Sequence, residues 1–478
     1  MSGCESRRRT QPRQGPRVPR PSSARRAAYD LLHEVGSDDA YANIAWPAIL
    51  RRARFDRRDS AFATELAYGT LRWRGFLDAV LARCLDRPLD RLDPRLLDIL
   101  RLGTYQLLGM RVPVHAAVDE TVRLARDVAG EGPARLANAV LRRVAEGGDQ
   151  DAWQAIVAPG EGADALAVAT SHPRWIVDAL GQALAAHPPG DGGSLRALLD
   201  ADNAPARPVL VARPGRMTAE ELWSIPGVEP GRWSPWAGVL DEGRPEDIPA
   251  VRDGRAGVQD EGSQLVALAL ARAPVEGRDE EWADLAAGPG GKAALLAGLA
   301  GQRGARLVAV EPHAHRADLV RQSLGLDPSR DTSAAGHRVI VGDGRDALPA
   351  GSVDRVIVDV PCTGLGALRR RPEARWRRST SDLATLGPLQ RQLLSAGIDA
   401  VRPGGVVAYT TCSPHVAETD LVVADVLRKR NDVVLEDARP LLPEVPFLGD
   451  GPAVRLWPHV HGTDGMYLAL LRRLPEPV

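Results

Sequence analysis

From residue 24 to residue 147 the apolar positions recur at helical spacing. Ala28, Leu31, Leu32 and Val35 share one face, as do Leu96, Leu97, Leu100 and Tyr105. Glu65–Leu85 is a further amphipathic stretch, Pro94 suits a first helical turn, Pro113 interrupts the pattern, and Arg135–Val144 closes the set. This spacing predicts an all-α bundle with Cys84 in its core. Gly147–Gln150 reads as a linker. Residues 151–270 are mixed: Ser171–Leu180 starts a helix, His187–Gly193 is a loop, Pro208–Pro214 is a strand, and Val258–Leu270 turns from polar to helical. From about residue 275 the period changes to strand, loop, helix. Strands are predicted at Trp282–Ala286, Leu307–Val310, Val339–Val341, Val353–Val358, Val406–Thr410 and Met466–Leu471, the pattern of a doubly wound parallel sheet over 271–475.

Composition changes this picture in three places. Residues 1–23 carry Arg7, Arg8, Arg9, Arg13, Arg17 and Arg20 against one acid, Glu5, and cannot build a core. A disordered tail is expected, either tethering RNA or merely solvated. The whole chain has a formal net charge of −1, which favours no partner class. Among 61 basic residues the lysines are Lys292 and Lys429 alone, so a lysine inside a glycine-rich turn points to a need of its site. No apolar run approaches the roughly 18 residues that span a bilayer, and no secretory signal is visible. Cys4, Cys84, Cys362 and Cys412 are too widely spaced for a disulfide framework or a metal motif, so a reduced, cytoplasmic protein without a metal is expected.

Three loops carry the chemistry. DLAAGPGGKA (Asp284–Ala293) follows a strand and opens a helix, so its backbone N–H groups can approach a ligand with the helix N-terminus behind them. A Walker A loop would need glycine at 286 and Ser or Thr at 293, where this chain has Ala286 and Ala293. Gly288, Gly290 and Ala293 still fit a relaxed dinucleotide fingerprint, and Glu311, about 20 residues on, suits a ribose. The loop alone therefore means an adenosine cofactor in a Rossmann-like site. Asp343 is placed either to meet an adenine amino group or simply to form the turn before Gly344. Cys362, in Val-Asp-Val-Pro-Cys, and Cys412, in Tyr-Thr-Thr-Cys-Ser, each follow a β-branched run. They should stand where strands end, the ligand-binding edge of a parallel sheet. A thiol beside an adenosine cofactor suits methyl transfer to C5 of a pyrimidine. Thiolate addition at C6, with an acid at N3, makes C5 nucleophilic, and loss of the C5 proton expels the thiol. Arg369, Arg370, Arg371, Arg375 and Arg377 crowd the segment after Cys362. They suit RNA phosphates, with Trp376 for stacking, or form a solvated basic loop.

DLAAGPGGK, DRVIVDVPCTGLGALRRRPEARW (Asp354–Trp376) and YTTCSPHVAETD (Tyr409–Asp420) resemble the RNA cytosine-5 methyltransferases of the RsmB/Fmu (Sun) group. ELAYGTLR, LRLGTYQLL and VPVHAAVDETV, within 24–147, resemble that group's NusB-like RNA-binding domain, and HGTDGMYLALLRR its final strand. The resemblance implies a multidomain chain: an N-terminal all-α NusB-like bundle, a linking segment at 151–270, and a C-terminal α/β Rossmann-like methyltransferase. It implies S-adenosylmethionine as cofactor and a cytosine of 16S rRNA as target, in naked RNA or an early small-subunit particle, with no obligate protein partner. By position it makes Cys412 the nucleophile, Cys362 the residue assisting product release, and Asp359 the support of the cytosine. It gives the cofactor to Ala286, Ala287, Gly288, Pro289, Gly290, Gly291, Lys292, Glu311, Arg316, Asp343 and Gly344, together with Asp359. Ala286, Gly288, Ala293 and Glu311 depart from the residues usual there without removing a role. Two rivals remain: DNA cytosine methylation with the Pro-Cys thiol attacking, and a non-catalytic RNA chaperone or antitermination factor built on the helical part.

Overall fold

The computed structural model describes residues 24–37, 41–190, 193–326, 333 and 336–475, so the expected basic tail at 1–23 lies outside the described residues. The chain divides into two compact units, one of residues up to Thr70 with Cys84–Glu146, the other of Leu71–Arg83 with everything from Gly147.

The first unit is helical. Helices Ala24–Ser37, Ala42–Ala53, Pro94–Leu108, Val114–Ala129 and Glu131–Glu146 join the larger part of Arg57–Arg72. Leu31, Leu66, Ile99, Leu100 and Leu141 are fully buried, the stripe that the 3.6-residue period predicts. Pro94 occupies the first turn, and Asp93 caps it by accepting from the Arg95 N–H. Cys84 is buried.

The second unit has helices at Gln150–Val157, Ala163–Ala169, Arg174–Ala186 and Leu195–Asn203. A small antiparallel sheet follows, made of β1 (Val209–Ala212), β2 (Val228–Pro230), β3 (Ala237–Leu240) and β4 (Ala256–Val258), in the order β2-β3-β1-β4. Of these four strands the sequence indicated only the first, because the others are three or four residues long and interrupted by Gly or Pro.

The large sheet takes β5 (Glu281–Asp284), β6 (Arg306–Glu311), β7 (Arg338–Val341), β8 (Val353–Asp359), β9 (Val401–Thr411), β10 (Val433–Glu436), β11 (Val454–Leu456) and β12 (Met466–Arg473). Its order is β10-β12-β9-β8-β5-β6-β7, with β11 paired to β12. Strands β9, β8, β5, β6 and β7 are mutually parallel. Strand β12 runs antiparallel to β9, so the expected wholly parallel sheet is corrected to a mixed one. Helices Glu261–Arg272, Gly291–Gly301 and Ala314–Leu324 contribute to the hydrophobic cluster containing Leu265, Leu295 and Val320. Asp382–Ala400 and Asp420–Leu427 contribute to a second one, with Leu394, Ile398 and Val422. Burial on both faces explains why the parallel strands read as unbroken apolar runs. No helix among the described residues is long and apolar enough to cross a membrane. No His, Cys, Asp or Glu cluster among them could hold a metal ion.

Candidate active site

The parallel register of β8 and β9 sets Asp359 against Thr410. Each strand ends within one residue of that pair, and the two loops leave the same edge of the sheet together. Cys362 and Cys412 therefore meet, with their sulfur atoms 3.3 Å apart. The Cys412 carbonyl accepts from the Gly366 N–H at 2.8 Å, and the Gly366 carbonyl from the Gly465 N–H at 2.7 Å. A Cβ on Gly366 would stand 2.0 Å from the Gly465 oxygen and 2.8 Å from that of Cys412, so only glycine allows this approach.

The Lys292 ammonium lies 2.8 Å from Asp359, whose other oxygen accepts from the Thr410 hydroxyl at 3.0 Å. Burial alone would lower the Lys292 pKa, but Asp359 and the nearby Cys412 and Asp284 raise it. The thiol pair is electrically asymmetric. The hydrogen bond from Cys362 pulls the Cys412 pKa down against burial and Asp359, with Lys292 and Arg371 adding to the effect. The same hydrogen bond, then burial, then the charges of Cys412 and Glu418, push Cys362 well above an ordinary thiol. Of the two thiols Cys412 is therefore the more readily ionised.

Next to the thiols, the glycine loop runs from the end of β5 into helix Gly291–Gly301. Gly290 has φ +104°, and a Cβ there would meet the Ser323 side chain at 2.8 Å. Gly288 is held from both sides: its N–H donates to Glu311 at 3.2 Å and its carbonyl accepts from Arg316 at 2.8 Å. Ala287 N–H donates to the Val310 carbonyl, which pins the loop to β6. Glu311, almost fully buried, also accepts from the His313 N–H at 3.1 Å. Glu311 and Arg316 thus brace the loop.

Asp343 stands at the neighbouring strand end and is gripped by Arg345, which lowers its pKa. Gly344 passes so close to the Leu285 carbonyl that a Cβ would stand 2.2 Å from it. Asp284, under the loop, was not singled out from the sequence. Burial and the neighbouring Asp359 push its pKa up to about 7.

This donor set fits S-adenosylmethionine. The first helical turn offers N–H groups without intrahelical partners to an amino-acid carboxylate. Glu311 and Asp343, at the ends of adjacent strands, offer acceptors to ribose hydroxyls and an adenine amine.

The arginine cluster is where the structure overturns the sequence. Arg375 is fully buried and donates to the carbonyls of Arg72, Ser171 and Asp202 and to the Asn203 side chain. Arg369 and Arg370 both pair with Asp260 and Asp464, at 2.5–3.1 Å. All three meet partners within their own chain, which the sequence alone does not show. Trp376 is taken as well, packed on Gly75 beneath the Arg74 guanidinium. Of the five arginines of this segment, Arg371 alone is exposed, and its charge reaches Cys412. The acids that capture Arg369 and Arg370 lie about 100 residues away on either side, beyond any local pattern.

Residues 269–472 match the family model described as 16S rRNA methyltransferase RsmB/F, and residues 22–146 match the NusB family. A putative methyltransferase of Mycobacterium tuberculosis is 51% identical over 464 residues, covering 96% of this chain and 98% of its own. Ribosomal RNA small subunit methyltransferase B of Pseudomonas syringae pv. tomato is 31% identical, covering 94% and 97%. The crystal structure of PH0851 superposes with a TM-score of 0.76 at 21% identity, over 95% of this chain and all of that one, a likeness of fold.

Proposed function

The chain belongs to the RsmB/F family of S-adenosylmethionine-dependent RNA methyltransferases, with an N-terminal NusB region, and from that premise we propose that it methylates C5 of one cytosine in 16S rRNA, in the cytoplasm, through a covalent bond between Cys412 and C6. The observation that carries this reading is the thiol pair 3.3 Å apart, in which Cys412 is the more acidic member. It favours Cys412 over the Pro-Cys thiol that attacks in the DNA-type mechanism.

Bound S-adenosylmethionine supplies an electrophilic methyl group to the carbon that the enzyme makes nucleophilic. Ala286–Lys292, Glu311, Arg316, Asp343 and Gly344 form or brace its seat. Cys412 thiolate adds at C6, and Asp359, oriented by Lys292 and Thr410, supports the pyrimidine at N3. Once the Cys412 charge is consumed in the C–S bond, the largest influence raising the Cys362 pKa is gone. The C5 proton is then lost to water, the C5–C6 double bond re-forms, and Cys412 leaves C6 as a thiolate that again accepts from the Cys362 S–H, which is how Cys362 assists product release. Residues 24–147 hold the RNA, 151–270 connect, and 271–475 carry the chemistry, with the exposed Arg371 beside the thiols placed to meet a phosphate.

The test uses the full chain, 16S rRNA and labelled methyl donor, with bisulfite mapping and denaturing gels. Cys412→Ala should give neither product nor complex. Cys362→Ala should accumulate a shifted RNA band that requires Cys412 and S-adenosylmethionine. Reversed phenotypes would establish the DNA-type assignment, and methylation unaffected by either change would overturn the thiol mechanism.

A further inference from the structure

Glu418 has no part in the chemistry just described, yet it is fully buried between the two cysteine loops. One carboxylate oxygen accepts from the Thr363 N–H at 2.8 Å and from the Gln390 amide at 3.1 Å, and the other accepts from the Thr363 hydroxyl. Thr363 directly follows Cys362. Having donated to Glu418, its hydroxyl accepts from Ser413, 3.1 Å away, and Ser413 directly follows Cys412. The chain Glu418–Thr363–Ser413 therefore ties one thiol loop to the other. Gln390 also donates to the Pro361 carbonyl at 2.9 Å, so the residue before Cys362 is held by the same group. In each of these bonds the Glu418 carboxylate is the acceptor, the pattern of an ionised acid.

Charge is distributed unevenly about the two sulfur atoms. Cys362 faces Glu418, Thr411, Tyr409 and the Cys412 sulfur, and Glu418 is the acid among them. Cys412 faces Lys292 and Arg371, which lower its pKa, and Asp359, which opposes them although it is paired with Lys292. His415 also faces Glu418, and burial lowers its pKa toward the neutral ring.

We propose that Glu418 is a positioning residue that polarises the thiol pair: its buried carboxylate holds the proton on Cys362 and so leaves Cys412 as the attacking thiolate. An anion beside Cys362 opposes a second negative charge there, whereas beside Cys412 the anion Asp359 is met by the cations Lys292 and Arg371. The hydrogen-bond chain through Thr363 and Ser413 adds geometry, keeping the S–H within reach of the thiolate. This role rests on the reading of Cys412 as nucleophile, but its test needs neither RNA nor methyl donor.

Iodoacetamide labelling of the full chain, resolved by peptide mass spectrometry across pH 6–10, reads each thiol separately. In the wild type, Cys412 should be labelled first at pH 7. Cys362 labelled first would overturn the proposal. In a Cys412→Ser background, where Cys362 is seen alone, Glu418→Gln keeps the size of the side chain and one acceptor oxygen, lets the Thr363 hydroxyl turn to accept from the new amide, and removes the charge. Cys362 labelling at pH 8 should then accelerate about tenfold, the equivalent of one pKa unit. Glu418→Asp, which restores the charge, should return the wild-type pH profile even if turnover is slower. A purely structural role would make both variants alike, and an unchanged Cys362 profile in Glu418→Gln would overturn the proposal. Failure of the C5 reading would appear elsewhere, as loss of the Cys412-dependent RNA adduct.

Discussion

Asp202→Asn should stabilise the second unit relative to the wild type, and do so far more at pH 8 than at pH 5. Asp202 is fully buried, and neither carboxylate oxygen has a hydrogen-bond partner. Burial pushes its pKa up to about 7, against the pull of Arg375 and Arg369 and with a push from Asp464. His172, 3.8 Å away, is itself held neutral by burial. In the unfolded chain the carboxyl returns to about 3.9. Between these values the folded state binds the extra proton, so the carboxyl's contribution is whole below pH 4. It is lost as pH rises to about 7 and is flat above. Three units at 1.36 kcal/mol each give about 4 kcal/mol. The asparagine variant has no such slope, and its amide replaces a carboxyl already neutral at low pH. The assay is urea unfolding at pH 5, 6, 7 and 8, followed by hydrogen-exchange protection of helix Leu195–Asn203, which isolates this unit from the helical one. Asp284 also titrates near 7, but it is common to both proteins and cancels in the difference. Parallel stability–pH curves for wild type and variant would refute the reasoning.

Activity should rise with pH as Cys412 ionises, with a kcat/KM midpoint below that of a free thiol. Cys362→Ala, which deletes the donor that lowers the Cys412 pKa, should move the pH dependence of Cys412 alkylation upward. Arg375→Ala should cost about 3–5 kcal/mol of stability by leaving buried carbonyls without their donor, measured as a lower urea midpoint. Arg371→Ala should reduce the log–log salt slope of RNA affinity by about one without changing that midpoint. Glu311→Gln should weaken S-adenosylmethionine binding by roughly 1.5–3 kcal/mol in calorimetry, because the loop loses a charged brace at Gly288.

Much of the site was legible because its signals are local. A β-branched run followed by Pro-Cys or Thr-Cys announces a strand end bearing a thiol, and a glycine loop between strand and helix announces a nucleotide edge. The parallel register that brings Cys362 to Cys412 follows once β8 and β9 are neighbours. The period of apolar residues likewise marked the helical region and six of the eight strands of the large sheet. Strands β10, at the sheet edge, and β11, off the main path, were missed because both pair antiparallel with β12 and fall outside the alternation of strand, loop and helix.

The arginines show where local signals stop. RRRPEARW reads as a basic surface because the sequence displays charge without partners. The fold brings Asp260 and Asp464 to Arg369 and Arg370, and buries Arg375 among carbonyls from three separate segments. Glu418 was likewise unremarkable until Thr363 and Ser413 closed around it. The sequence by itself determined which backbone elements form and which reactive groups they carry, since both depend on neighbours a few residues apart. Tertiary structure alone decided whether each charge meets solvent, substrate or an opposite charge. Burial and pairing set the free energy of a charge, and both depend on residues far away along the chain.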